Sequence, residues 1–197
     1  MVGKGARTKA DILELALRRA SLVGLEGLSI GTLARDAGMS KSGLFAHFGS
    51  KTGLQIAVLH MARDRFARKV VLPAIKQPRG EPRVIAMFDN WLDWTESPQI
   101  PGGCLFVNGA SEFDDRPGPV RDVLAAAVGA WRSDLSRAAS LAVQEGHFRA
   151  DLDTEQFAFV LHSIMLGYKL DAGLFDDQSA ARERADQAFR TVLSLAR

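Results

Sequence analysis

Residues 29–51, SIGTLARDAGMSKSGLFAHFGSK, constrain the chain most, because they ask for two short helices with almost nothing between them. Ile30, Leu33, Ala34 and Ala37 recur at i, i+3, i+4 and i+7, one apolar stripe on a helix. Ser29 stands before that stripe as an N-cap, and Gly38 after it suits the left-handed C′ position. Met39 leads straight to Ser40, a second N-cap. A break this short with glycine at the corner makes two helices cross steeply, which is helix-turn-helix geometry. Leu44 and Phe48 pin the second helix inward, while Ser40, Lys41, Ser42, Gly43, Phe45 and His47 make up its opposite face and first turn. A small, polar, basic helix end suits entry into the DNA major groove.

The turn alone serves equally well as a helical corner in an all-α core. The continuation separates the two readings. Leu44-Phe45-Ala46-His47-Phe48 followed by Gly49-Ser50-Lys51-Thr52-Gly53-Leu54 closely resembles the signature of the tetracycline-repressor (TetR) family of bacterial transcription regulators. In that family a hydrophobic–aromatic–x–His/Tyr–Phe run precedes x–Ser/Asn–Lys–x–x–Leu. The resemblance spans residue 8 to about residue 58.

Position by position, the resemblance implies that Ser29 and Lys51 act as phosphate clamps. It implies that Ser40, Lys41, Ser42, Gly43, Phe45 and His47 occupy the positions that touch bases or backbone. Two departures stand out. Phe45 lacks the hydroxyl of the tyrosine common there, and Gly43 offers only close backbone approach. Direct base readout then rests on few side chains, with Lys41 the candidate for guanine.

Charge distribution agrees. Residues 1–52 carry eight Lys/Arg against four acids, a net of +4, whereas the other residues carry 17 against 19. Positive charge gathers where phosphate would bind. The 197 residues, 47 % apolar, supply a core without disulfides or metal. The single cysteine, Cys104, cannot form an internal disulfide, which fits a reducing compartment. No stretch reaches membrane-spanning length and the N-terminus has no unbroken apolar run, so the expected location is cytoplasmic.

In chain order, residues 1–7 read as a basic arm and residues 8–23 as the first helix, with Thr8 and Asp11 as a capping-box-like start. Ser50 caps a longer helix over residues 51–72. Its Arg63, Arg65, Arg68 and Lys69 read as a solvated face. Pro73, Pro78, Gly80 and Pro82 end it. Helices follow over residues 82–96, 104–113, 119–145, 154–172 and 179–196, which makes nine helices and no strand. The expected fold is all-α, with a helix-turn-helix DNA-binding domain at 1–52 and a ligand-binding and dimerisation domain at 53–197.

The second domain offers less sharp chemistry. Phe88, Trp91, Cys104, Asn108, Trp131, His162 and Met165 are candidates for an apolar ligand cavity, and ordinary core packing is the competing reading for each. Asn108 and His162 stand out because a buried polar group without a partner costs roughly 1–3 kcal/mol. For Cys104 the favoured reading is a buried hydrophobe rather than a redox sensor. The last two helices are apolar on more than one face, as buried helices are. The resemblance implies a homodimer through a four-helix bundle, with Phe157, Leu161, Ile164, Phe189 and Val192 as candidate contacts.

An enzyme is the rival class. Gly109-Ala110-Ser111-Glu112-Phe113 begins like a nucleophile elbow but ends in Phe and has no strand before it. No phosphate-binding glycine loop, metal-spaced His pair or Cys pair occurs, so no catalytic, metal or cofactor site is expected. The expected function is a repressor released from a pseudo-palindromic operator by a small, largely apolar ligand. A helix-turn-helix regulator without an effector, constitutive or protein-partnered, is the alternative.

Overall fold

The computed structural model describes the backbone of residues 4–197 and the side chains of residues 9–197. Among the described residues the chain is helical throughout: α1 (Lys4–Val23), α2 (Ile30–Asp36), α3 (Lys41–Phe48), α4 (Lys51–Phe66), α5 (Leu72–Ile75), α6 (Glu81–Thr95), α7 (Leu105–Phe113), α8 (Pro119–Gln144), α9 (Thr154–Leu174) and α10 (Gln178–Ala196). A π-helical turn, Ala67–Val71, joins α4 to α5 without a break. With those three contiguous segments counted as one helix, the described residues form the nine helices expected.

The boundaries follow from local chemistry. Ser29 Oγ accepts from the Thr32 amide at 3.4 Å, Ser40 Oγ from Gly43 at 3.0 Å, and Ser50 Oγ from Gly53 at 2.9 Å. Each satisfies one donor that a helix N-terminus leaves without a partner. Gly38 takes φ +65° at the end of α2, where the Met39 amide returns to the Ala34 carbonyl at 2.8 Å. Asp153 caps α9 and Asp177 caps α10. Helix α1 begins at Lys4 rather than at Thr8. Residues 4–7 lack proline and extend the first turn despite Gly5, so they are helix and not arm. Residues 1–3 of the expected arm lie outside the described residues.

Two compact units result, each drawn from two stretches of sequence: Met1–Arg65 with Glu96–Ala127, and Phe66–Thr95 with Val128–Arg197. In the first, Ile12, Ala16, Leu17 and Ala20 of α1 are buried, as are Leu33 of α2, Leu44 of α3, and Leu54 and Val58 of α4. Helix α7 belongs to this unit. A side chain at Gly109 would meet Leu25 Cδ1 at 2.8 Å, so only glycine lets α7 lie this close to the α1–α2 linker.

In the second unit Phe88 of α6 stacks on Phe189 of α10, with centroids 4.1 Å apart. Phe66 meets Trp94 and Trp131 edge-on at 6.0 and 5.0 Å. Asn90 Nδ2 donates to the Val70 carbonyl at 3.1 Å, satisfying an acceptor in the π-helical turn. Arg182 ties α10 to α6 by pairing with Asp93 at 2.9 Å.

The stack makes Phe189 an internal strut. Phe189→Ala should cost about 3–5 kcal/mol, as large-to-small aromatic replacements in cores do, and Phe189→Leu much less. Urea unfolding measures both, and an unchanged midpoint for Phe189→Ala would place the residue outside the core.

Candidate nucleic-acid interface

Helix α3 buries one side chain completely and leaves its first turn exposed. Leu44 is fully buried, while Ser40, Lys41, Ser42 and Phe45 are exposed and His47 and Gly43 half-buried. Phe45 keeps 50 % of its surface in solvent, unusual for a large apolar group. Ser40 Oγ lies 3.2 Å from Ser42 Oγ, so the two hydroxyls at the start of α3 sit side by side. The Lys9 ammonium lies 5.6 Å over the Phe48 ring, adding a cation beside the end of α3. Of the residues singled out from sequence, Ser40, Lys41, Ser42 and Gly43 lie at the start of α3 and Phe45 and His47 further along it.

Lys51 is placed differently from a free clamp. Its Nζ donates to Glu26 Oε1 at 2.9 Å and also to the Glu26 carbonyl. The Lys51 hydrogen bond holds the Glu26 carboxyl below the usual carboxylate range, against a smaller opposing effect of burial. Glu26 sits in the α1–α2 linker, whose backbone is fixed from two sides. The Leu25 and Glu26 amides donate to Glu112 Oε1 and Oε2 at 3.1 and 2.8 Å, and Gln55 Nε2 donates to the Leu25 carbonyl at 2.9 Å. Sequence reasoning missed Glu112 as a structural residue. Its partners lie 86 and 87 positions away, and no local pattern announces such a contact.

The candidate ligand residues divide between the units. Cys104 and Asn108 belong to the first, where Cys104 is buried and Asn108 Nδ2 donates to the Gly102 carbonyl at 3.0 Å. That bond gives Asn108 a structural task closing the loop before α7. Phe88, Trp91, Trp131, His162 and Met165 belong to the second, all buried except the half-buried His162. Trp94 Nε1 and Trp131 Nε1 are buried and find no acceptor among the described residues. Burying a donor in this way is unfavourable unless something accepts from it.

The candidate dimer contacts also sort by packing. Phe157, Leu161 and Phe189 are buried inside the protomer's own core, and Ile164 and Val192 are half-buried. Three of the five residues named from sequence therefore pack inward within the chain. The apolar surface of α9 is carried instead by Phe159, Leu166, Leu170 and Leu174, at i, i+7, i+11 and i+15, with Leu170 and Leu174 about two-thirds exposed. Phe175 follows α9, and Leu195 on α10 is exposed as well.

Known proteins share this arrangement. Residues 12–58 match the family of bacterial regulatory proteins, tetR family, and residues 80–189 match the tetracyclin repressor-like C-terminal domain. Among curated proteins, the HTH-type transcriptional repressor ComR of Escherichia coli (strain K12) is 24% identical over 173 residues, covering 87% of this chain and 80% of that protein. A TetR transcriptional regulator from Chloroflexus aurantiacus J-10-FL superposes with a TM-score of 0.86 at 22% identity, covering 97% of this chain and 94% of the other. AibR, solved in complex with isovaleryl coenzyme A and operator DNA, superposes with a TM-score of 0.74 at 22% identity, over 96% and 98% of the two chains. The chain belongs to the TetR family of transcriptional regulators. It is a DNA-binding regulator and not an enzyme. No described helix is long and apolar enough to cross a membrane.

His162 supplies a pH test of the second unit. Burial lowers its pKa below the ordinary value of about 6.5, and the nearby Arg132 guanidinium lowers it further. The unfolded chain then takes up this proton at a higher pH than the folded one. Stability should fall as pH drops below about 6.5 and continue to fall until the folded-state value is passed. His162→Gln should flatten that part of the profile, measured as urea midpoints between pH 7.5 and 5. An unchanged slope would mean that another group titrates there.

Proposed function

We propose that the chain is a cytoplasmic, homodimeric repressor, released from a pseudo-palindromic operator by a small, largely apolar ligand. In this reading residues 1–52 form the DNA-binding domain and residues 53–197 the ligand-binding and dimerisation domain. The observation that carries it is the exposed start of α3, with Ser40, Lys41, Ser42 and Phe45 in solvent above the buried Leu44. Lys41 reads bases, Ser40, Ser42, Gly43, Phe45 and His47 fit the groove, and Ser29 and Lys51 hold phosphates.

Two features support the ligand. The indole N–H groups of Trp94 and Trp131 await an acceptor beside an aromatic cluster that also contains Phe66. An apolar compound with a carbonyl or carboxylate would supply it. Among the structural neighbours, AibR was solved with an acyl thioester and operator DNA together. Helix α4 starts at Lys51 and its chain runs on into the π-helical turn and α5, and a ligand that moves α4 changes how α3 meets DNA. Coupling of this kind is commonly about 1–3 kcal/mol, and reciprocity requires operator to weaken the ligand by the same factor. The dimer is supported by the exposed apolar stripe Phe159, Leu166, Leu170 and Leu174.

Binding to duplex selected from a random pool tests the DNA contacts. Lys41→Ala should relax base preference. Lys51→Ala should instead weaken all sequences alike and lower the salt slope by about one for each phosphate left without its cation. Unchanged base preference in Lys41→Ala would remove it from base readout.

Sedimentation tests the assembly. Leu170→Asp should leave the protomer folded, since Leu170 is exposed, yet dissociate the dimer because an unpaired charge would be desolvated in the seam. A dimer that survives the substitution would place the interface elsewhere.

A further inference from the structure

The Glu26 carboxylate occupies the cation that the proposed function assigns to a DNA phosphate. Lys51 Nζ has three hydrogens to donate, and Glu26 takes bonds from it at both its Oε1 and its carbonyl. The pairing is built in rather than incidental. Glu112 holds the Leu25 and Glu26 amides, and Gln55 holds the Leu25 carbonyl, so the linker backbone aims Glu26 at the start of α4. Gly24 makes room for this: a Cβ there would lie 2.5 Å from Glu112 Oε1, and its φ of +78° also favours glycine.

A second cation faces the same carboxylate. Arg116, in the turn between α7 and α8, places Nη1 3.8 Å from Glu26 Oε2, the oxygen that Lys51 leaves free. Arg116 also lies 3.8 Å from Asp115 and 5.9 Å over the Phe113 ring, so its hold on Glu26 is loose and adjustable. Glu26 is thus shared between a residue of α4 and a residue that follows α7.

We propose that Glu26 is an internal competitor for the operator phosphate at Lys51, and that Arg116 sets how strongly it competes. The inference rests on the reading of Lys51 as a phosphate contact. When Arg116 draws the carboxylate toward itself, Lys51 is released to the duplex. When Arg116 withdraws, Glu26 retains Lys51 and presents a negative charge to the approaching backbone. Both groups are partly exposed, so each contact is modest and water-screened, which is what a reversible competitor requires. Movement of α7 or of the turn after it then alters DNA affinity without any displacement of α3.

The test uses the full chain and the duplex that the wild-type protein selects from a random pool. Glu26→Gln should tighten binding by about two- to fivefold per half-site and steepen the salt dependence, because Lys51 then loses its charged partner and keeps only neutral acceptors. Asp11→Asn removes an equal charge from an exposed position on α1 and serves as the control for general electrostatics. Arg116→Ala should weaken binding in the wild-type background and have no effect once Glu26→Gln is present. The gain from Glu26→Gln should vanish in Lys51→Ala. Equal effects of Glu26→Gln and Asp11→Asn, or a gain that survives in Lys51→Ala, would overturn the competitor role while leaving Lys51 as a phosphate contact. Weaker binding by Glu26→Gln would overturn it too, by showing that Glu26 positions Lys51 for DNA. A Lys51→Ala variant that binds like wild type removes the phosphate contact itself, and the inference with it.

Discussion

The first unit depends on a carboxylate placed over two backbone amides. The linker between α1 and α2 leaves the Leu25 and Glu26 N–H groups outside any helix, and Glu112 accepts both. A charged acceptor bound to two amides is stronger than a neutral pair, and loss of Glu112 would leave the partly buried Leu25 donor unpaired. The consequences spread from there. With the linker fixed, Leu25 and Leu28 are buried beside α2, Gln55 closes on the remaining carbonyl, and α7 is held against the linker. The unit is therefore the helix-turn-helix together with residues 96–127, and not a DNA-binding module alone.

The second unit is governed by how α9 and α10 divide their apolar surface. Helix α9 has more of it than one packed face uses. The inward share goes to Phe157, Leu161 and Met165 of α9 and to Ala181, Ala185 and Phe189 of α10, with Phe189 stacked on Phe88. The outward share, Leu166, Leu170 and Leu174, repeats every four residues and forms a continuous stripe. Polar residues keep the two faces distinct: Arg182 and Arg184 pair with Asp93 and Asp171, which lines up α10 against α6 and α9.

Indole chemistry distinguishes the interior of this unit from a simple hydrocarbon core. Phe66 packs edge-on against both Trp94 and Trp131, a geometry that matches the positive ring edge of one aromatic to the negative face of another. The tryptophans contribute large apolar area and also two buried donors. A core optimised for packing alone would use leucine or phenylalanine at these places. The sequence singled out Trp131 for its aromatic ring, but only the packed structure shows that its N–H has no acceptor among the described residues.

What the sequence determined by itself is local. The caps Ser29, Ser40 and Ser50, the left-handed Gly38 and the stripe Ile30, Leu33, Ala34 and Ala37 involve partners within two turns of helix, so residue order fixes them. The helix-turn-helix followed from those signals, and the family resemblance rested on the same short stretch. The tertiary structure decided everything that joins distant residues. Phe189 turned inward because Phe88, far earlier in the chain, offers its ring face there, whereas helical periodicity shows only that a residue lies on an apolar face, not what that face meets. Asn108 was taken up by the Gly102 carbonyl, and Lys51 by Glu26. Glu112 had no signal at all: a glutamate on a helix is ordinary in sequence, and its importance arises only when folding carries it to two amides in a linker much nearer the N-terminus.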